Sequence, residues 1–109
     1  MEYPEKTCDV SRLVTHKNMV HAVLKGEKTQ QRRNGVYAYP GERFELEGVA
    51  FELSDLRRQR LGDMTDQDAA AEGYASLEAY KAVILRMHSG MEWDEEALVW
   101  LHTFHRAGQ

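Results

Sequence analysis

The chain has one cysteine, Cys8, in 109 residues. A lone thiol has no internal partner, so a disulfide framework is excluded and a reducing cytoplasm is the expected setting. No apolar run approaches the roughly 18 residues that span a bilayer, and no membrane partner is expected. The opening Met1-Glu2-Tyr3-Pro4-Glu5 lacks the basic-then-apolar layout of a secretory leader. Positive charge is also short. The formal net charge of −4 argues against a non-specific duplex binder, whose affinity comes mainly from neutralised phosphates.

Several chemical signatures are missing as well. There is no GxSxG, P-loop or GxGxxG, which removes the common nucleophilic and nucleotide-cradling schemes. Cys8 lies in a polar lead-in, a poor setting for a thiol nucleophile. HExxH and CxxC are absent, and the histidine pairs His16/His21 and His102/His105 fall short of the four or so ligands a zinc site needs. In an extended segment His102 and His105 would also point to opposite faces. Neither a metal nor a cofactor is expected.

What is present suits one soluble domain. Hydrophobic residues make up 42% and charged residues 29%, enough for a single core. We take 1–109 as one domain with 1–9 as a loosely held lead-in. Charge is placed unevenly: Arg32, Arg33, Arg43, Arg57, Arg58 and Arg60 precede position 61, whereas Asp63, Asp66, Asp68, Glu72 and five further acids follow it. A local basic face is therefore compatible with an acidic total.

Periodicity places the elements. Ser11–Val14 is a candidate short strand. Thr15 is placed as N-cap of a helix over His16–Lys25, whose Met19, Val20, Val23 and Leu24 form one stripe and which Gly26 ends. Lys28–Arg32 is a half-buried strand candidate. Asn34-Gly35 and Pro40-Gly41 mark turns around Val36–Tyr39, a brief pairing segment or a loop. Arg43–Glu47 and Val49–Leu53 alternate on either side of Gly48 and predict a hairpin, with Ser54–Leu61 continuing as a polar sheet edge. Thr65 and Asp68 form a capping-box pair for a short helix that Gly73 stops. Ser76 caps a longer helix whose stripe of Leu77, Tyr80, Val83, Ile84 and Met87 is expected in the core, with Gly90 closing it. Ala97–His105 fits strand and helix equally well.

Gly26-Glu27-Lys28-Thr29-Gln30-Gln31-Arg32-Arg33 is the densest stretch of hydrogen-bonding capacity next to a backbone break. An ammonium just past a helix stop, once enclosed by a sheet, loses solvation; that disfavours its charged form and suits Lys28 to act as a base. Glu72, at the end of the short helix, is the candidate carboxylate opposite it.

These residues carry a resemblance. Gly26-x-Lys28-Thr29-x-x-x-Arg33 resembles the GxKxxxxR loop of the ASCH domain family. Pro40-Gly41-Glu42 resembles that family's turn into a barrel strand, and Leu61–Ile84 is similar to its helical pair. The match spans about residues 10–106. The resemblance implies an α+β fold, a small PUA-like mixed β-barrel with about three flanking helices, and it favours a closing strand over Ala97–His105. It also implies RNA binding. One branch, the small bacterial amidohydrolases of N4-acetylcytidine, looks nearest in length and layout. In that branch a lysine is the base, a threonine three residues later the nucleophile and a downstream glutamate the proton donor. Lys28 and Glu72 match the first and third; Gln31 stands where the threonine would be, and Thr29 could stand in only if a bulge re-aimed it. Two functions are therefore expected. In the first, single-stranded RNA or a modified nucleoside binds through Lys28, Gln31 and Arg33, with Tyr37, Tyr39 or Trp93 stacking on a base. In the second, Lys28 and Glu72 deacylate an N4-acetylcytidine-like nucleoside, with water in place of the missing hydroxyl.

Overall fold

The computed structural model describes residues 3–88 and 90–108; part of the leader reading, at residues 1 and 2, lies outside them. The first helix, α1, spans Lys17–Leu24. Strand β1 is Gln30–Arg33, β2 is Arg43–Leu46 and β3 is the long Val49–Arg60. Helices α2 (Asp66–Ala71) and α3 (Leu77–Met87) follow, and β4 (Leu98–Arg106) closes the fold. The strands form one curled sheet, half a barrel, in the order β1-β4-β3-β2. This is the expected α+β class. All the pairings are antiparallel, so the mixture of parallel and antiparallel contacts is not seen among the described residues.

The β2–β3 hairpin closes through Glu47 and Gly48, both with positive φ, at 50° and 82°. Such a two-residue turn matches the right-handed twist of the strands it joins, and Gly48 adopts it without a Cβ penalty. Phe44 faces Phe51 across this pair, and both rings meet Phe104 of β4, with centroids 5.5–6.5 Å apart. Ser54–Arg60 continues β3 and pairs with β4 on one side only; the pairing of β2 with β3 stops at Glu52, so the other side of this run is a sheet edge, as expected. A register shift between Leu53 and Asp55 interrupts the β3–β4 ladder just beyond the last β2 pairing and adds to the curl.

Ser11–Val14 is not a strand. Val10–Arg12 makes a 3₁₀ turn capped by Asp9, after which Leu13 and Val14 drop into the core. The residues before it are tied to the fold: Thr7 N–H donates to Val36 O at 2.9 Å, the Tyr39 hydroxyl to Pro4 O at 2.9 Å, and Lys6 pairs with Glu42. Val36–Tyr39 is a loop, with Val36 and Ala38 fully buried. The capping box of α2 forms as its sequence specifies, Thr65 and Asp68 each accepting from the other's backbone N–H, and Ser76 caps α3. Helix α3 ends at His88, with Gly90 making the turn beyond it.

Candidate functional site

The chain leaves α1 by a left-handed turn at Gly26 (φ 81°), and three backbone bonds then fix the next residues. Lys28 N–H donates to Ala22 O in α1, Thr29 N–H to Ala71 O in α2, and Phe104 N–H of β4 to Thr29 O. Lys28 is thereby held against the C-terminal end of α2. Gly73 makes the turn beside it: its φ of 97° is left-handed and favours glycine, although a Cβ there would meet that of Lys28 at an ordinary contact distance of 3.6 Å.

Lys28 Nζ lies 2.9 Å from both the backbone oxygen and Oε1 of Glu72. The other carboxylate oxygen of Glu72 accepts from Arg32 Nη1 at 2.9 Å. Lys28 and Glu72 are each 1% exposed, and Arg32 is buried with them. Arg32 Nε donates to Gln59 Oε1 at 2.8 Å, and its Nη2 lies 3.3 Å from Asp68 Oδ1 without the alignment of a hydrogen bond. One fully buried carboxylate thus serves two cations, with Asp68 at the margin. An excess of buried positive charge favours loss of a proton from the more titratable cation. Burial accordingly holds Lys28 below its ordinary value; Glu72 pulls it back up, while Arg33 and Arg32 push with the burial.

This cluster forms part of the lining of a cleft of about 700 Å³. One wall is the start of α1 with Thr15, His16, Asn18 and Met19; a second carries Gln31, Arg33 and Tyr37; the third is α3 with Tyr74, Met91 and Trp93. Arg33 is partly occupied, donating to Leu13 O at 2.7 and 3.2 Å, and its guanidinium lies 5.4 Å from the centre of the Tyr37 ring. Gln31 Nε2 bonds weakly to Arg32 O at 3.3 Å. Burial raises the pKa of the Tyr74 and Tyr80 hydroxyls, assisted in both by the Glu72 charge, so both stay protonated.

Of the sequence candidates, the structure brings together Lys28, Glu72, Gln31, Arg33 and Tyr37, with Trp93 opposite. Two others lie elsewhere. Thr29 is absent from the cleft lining; it borders a second hollow of about 290 Å³ with Val23, Leu24, Phe51 and Phe104, which Lys28 also touches. Tyr39 is absent from the cleft lining; its ring stacks on Tyr3 at 6.0 Å under the lead-in. The α3 stripe is core only in part: Tyr80 is buried and Leu77 and Ile84 pack against its cluster, whereas Val83 and Met87 turn to the cleft, Met87 being 59% exposed.

Three site residues escaped the sequence reading. Arg32 shares strand parity with Lys28, which the period of two could have signalled. Thr15 lines the cleft because His16, not Thr15, is the N-cap residue of α1, and no side chain caps it. His102 is fully buried behind the cleft. Its Nδ1 lies 3.2 Å from Gln31 O and 3.1 Å from Trp100 O, and its Nε2 accepts the Tyr37 N–H at 3.1 Å. These partners fix a neutral ring protonated at Nδ1, joining the Tyr37 loop to β1 and β4. No signal in the sequence distinguished it from any core histidine. Among the described residues, no three His, Cys, Asp or Glu side chains gather as a metal site requires.

No protein-family model matches the sequence, and no curated protein does. Two solved structures share the fold. An ASCH domain from Lactobacillus crispatus superposes with a TM-score of 0.68 at 18% identity, over 91% of this chain and 77% of that one. A protein of Enterococcus faecalis from the DUF984 family gives 0.59 at 13% identity, over 98% and 78%. The chain therefore has an ASCH-type, PUA-like fold, with no helix long and apolar enough to cross a membrane among its described residues.

Proposed function

We propose that the cleft binds a nucleoside, free or as an unstacked base of single-stranded RNA. The observation that carries this reading is the combination, in one hollow, of fixed polar groups with the aromatic walls Tyr37, Tyr74, Tyr80 and Trp93. Recognition of a single base calls for both a π surface to stack on and donors or acceptors for its edge. Gln31 offers an amide for such an edge. Arg33, fixed by Leu13 O and lying over the Tyr37 ring, presents its remaining N–H groups to a phosphate or a base acceptor.

A second reading, amide hydrolysis of an N4-acetylcytidine-like nucleoside, rests on the Lys28–Glu72 contact. A neutral Lys28 amine donates its two hydrogens to Glu72 O and Oε1 and keeps one lone pair for a proton of a cleft water. The water oxygen adds to the acyl carbonyl, the C–N4 bond breaks, and the proton returns through Lys28 or Glu72 to N4, giving cytidine and acetate.

Fluorescence anisotropy with a short single-stranded RNA tests the first reading. Saturable binding that weakens with salt is expected, and Tyr37→Leu should remove about 1–3 kcal/mol of stacking. If neither the RNA nor N4-acetylcytidine binds, the proposal is wrong. Chromatographic detection of cytidine released from N4-acetylcytidine, abolished in a folded Lys28→Ala variant, would replace binding by hydrolysis as the conclusion.

A further inference from the structure

Arg33 stands at the rim of the cleft, and the strand register continues from it across the sheet. Trp100 of β4 lies opposite Arg33 of β1 on one side and opposite Arg58 of β3 on the other. Residues directly opposite in an antiparallel ladder share a face, so the three side chains form a row, Arg33–Trp100–Arg58. Trp100 and Arg58 lie outside the cleft lining. The Arg58 guanidinium sits 5.1 Å from the centre of the Trp100 ring, much as that of Arg33 sits 5.4 Å from the centre of Tyr37. A ring beneath a guanidinium steadies it and leaves its N–H edge free to donate. Arg58 is exposed, and among the described residues no carboxylate pairs with it or with Arg33, although the chain as a whole is acidic. The free positive charge ends one step further on. Arg60, next on this face, is bridged to Asp63 and Glu96.

We propose that the ligand is a single-stranded RNA rather than a free nucleoside, and that its sugar–phosphate chain leaves the cleft along this row. One base occupies the cleft, the phosphate beside it meets Arg33 at the rim, and a phosphate further along meets Arg58. Guanidinium forks match phosphate oxygens in pairs. The two arginines stand two strand spacings apart, about 10 Å, so only a ligand that runs on past the cleft reaches both. A mononucleotide held in the cleft reaches Arg33 alone. The alternation of ring and guanidinium suits a chain that alternates base and phosphate, and single-strand sites combine a cationic track with aromatic platforms. The inference rests on the nucleoside reading above and chooses, of its two forms, the polymer.

The test compares a labelled single-stranded RNA pentamer of mixed sequence with the nucleosides that compose it, by anisotropy and competition. The pentamer should bind about tenfold tighter than any of the nucleosides, or better. Its log K should fall with log salt at a slope of about −1.4, which is about −0.7 for each of two phosphates. Arg58→Gln, at an exposed position and checked for folding by circular dichroism, should weaken the pentamer about tenfold, bring the slope to about −0.7 and leave the nucleosides unchanged. Arg57→Gln removes the same charge one residue away, but that side chain points to the other face and pairs with Asp55, so pentamer binding should hold. A pentamer that binds no tighter than a nucleoside overturns this inference and leaves the nucleoside reading standing. An unchanged slope in Arg58→Gln overturns the path, and so does an equal loss in Arg57→Gln, which would show a diffuse effect of charge. Hexaglutamate that displaces the pentamer as well as unlabelled pentamer does would assign the row to an acidic peptide and refute the inference. Failure of the pentamer, the nucleosides and N4-acetylcytidine alike overturns both proposals.

Discussion

Acid should weaken this fold through His102, and by an amount the structure sets. Burial pushes the imidazole down to about 4 from its ordinary 6.5; the bonds to Gln31 O and Trp100 O oppose that shift, and the nearby Arg33 charge reinforces it. A proton on Nε2 would also break the bond that this nitrogen accepts from Tyr37. The unfolded chain takes up that proton below about 6.5, whereas the folded chain refuses it until about 4. The stabilisation is therefore complete above pH 6.5 and is lost as pH falls toward 4. At about 1.4 kcal/mol per pH unit the full loss is about 3 kcal/mol, a large share of the 5–15 kcal/mol typical of a domain. Urea unfolding of the wild type and of His102→Gln, followed between pH 7.5 and 5, isolates the effect from the carboxylates common to both. The wild type should lose about 2 kcal/mol more than the variant over that span. Parallel curves would show that the ring is not held neutral and would refute the argument. The Tyr37 amide, read by NMR, should move with the same transition.

Other outcomes follow from the same contacts. Glu72→Gln leaves Lys28 and Arg32 without their shared carboxylate and should cost about 3–5 kcal/mol in urea unfolding, more than Lys28→Met, which removes only one of its two cations; a loss below about 1 kcal/mol would mean that the cluster is solvated. Thr65→Ala removes the acceptor for the Asp68 N–H and should cost about 1 kcal/mol, seen as a lower Tm. Glu47→Gly relieves a non-glycine residue at φ 50° in the hairpin turn and should leave stability unchanged or raise it by up to about 1 kcal/mol; clear destabilisation would mean that its exposed 3.8 Å contact with His21 outweighs the backbone strain.

Local chemistry made several elements legible before any coordinates. The Thr65–Asp68 box, the Ser76 cap and the hairpin around Gly48 depend on groups within four residues of each other, so the sequence contains both partners. Lys28 beside Glu72 was legible in a weaker way, through the resemblance of its loop rather than through spacing, because 44 residues separate the pair. Where reading along the chain failed, a distant partner had decided. Ser54–Arg60 reads as a polar edge and is one, but which strand lies on its inner side was not legible, because β4 arrives from the far end of the chain. The α3 stripe has a core's periodicity, but periodicity says only that one face is apolar, not what that face meets.

By itself, then, the chain determined where α2 and α3 start, which hairpin closes, and that one glycine-ended helix delivers a lysine to a polar strand. Only the tertiary structure decided that Arg32 joins Lys28 on Glu72, that Thr29 and Tyr39 stand outside the cleft, and that Met87 borders it. The reason is physical. Capping and turn energies act between neighbours in sequence, whereas burial, desolvation and ion pairing depend on which distant surfaces meet, and no local pattern records that.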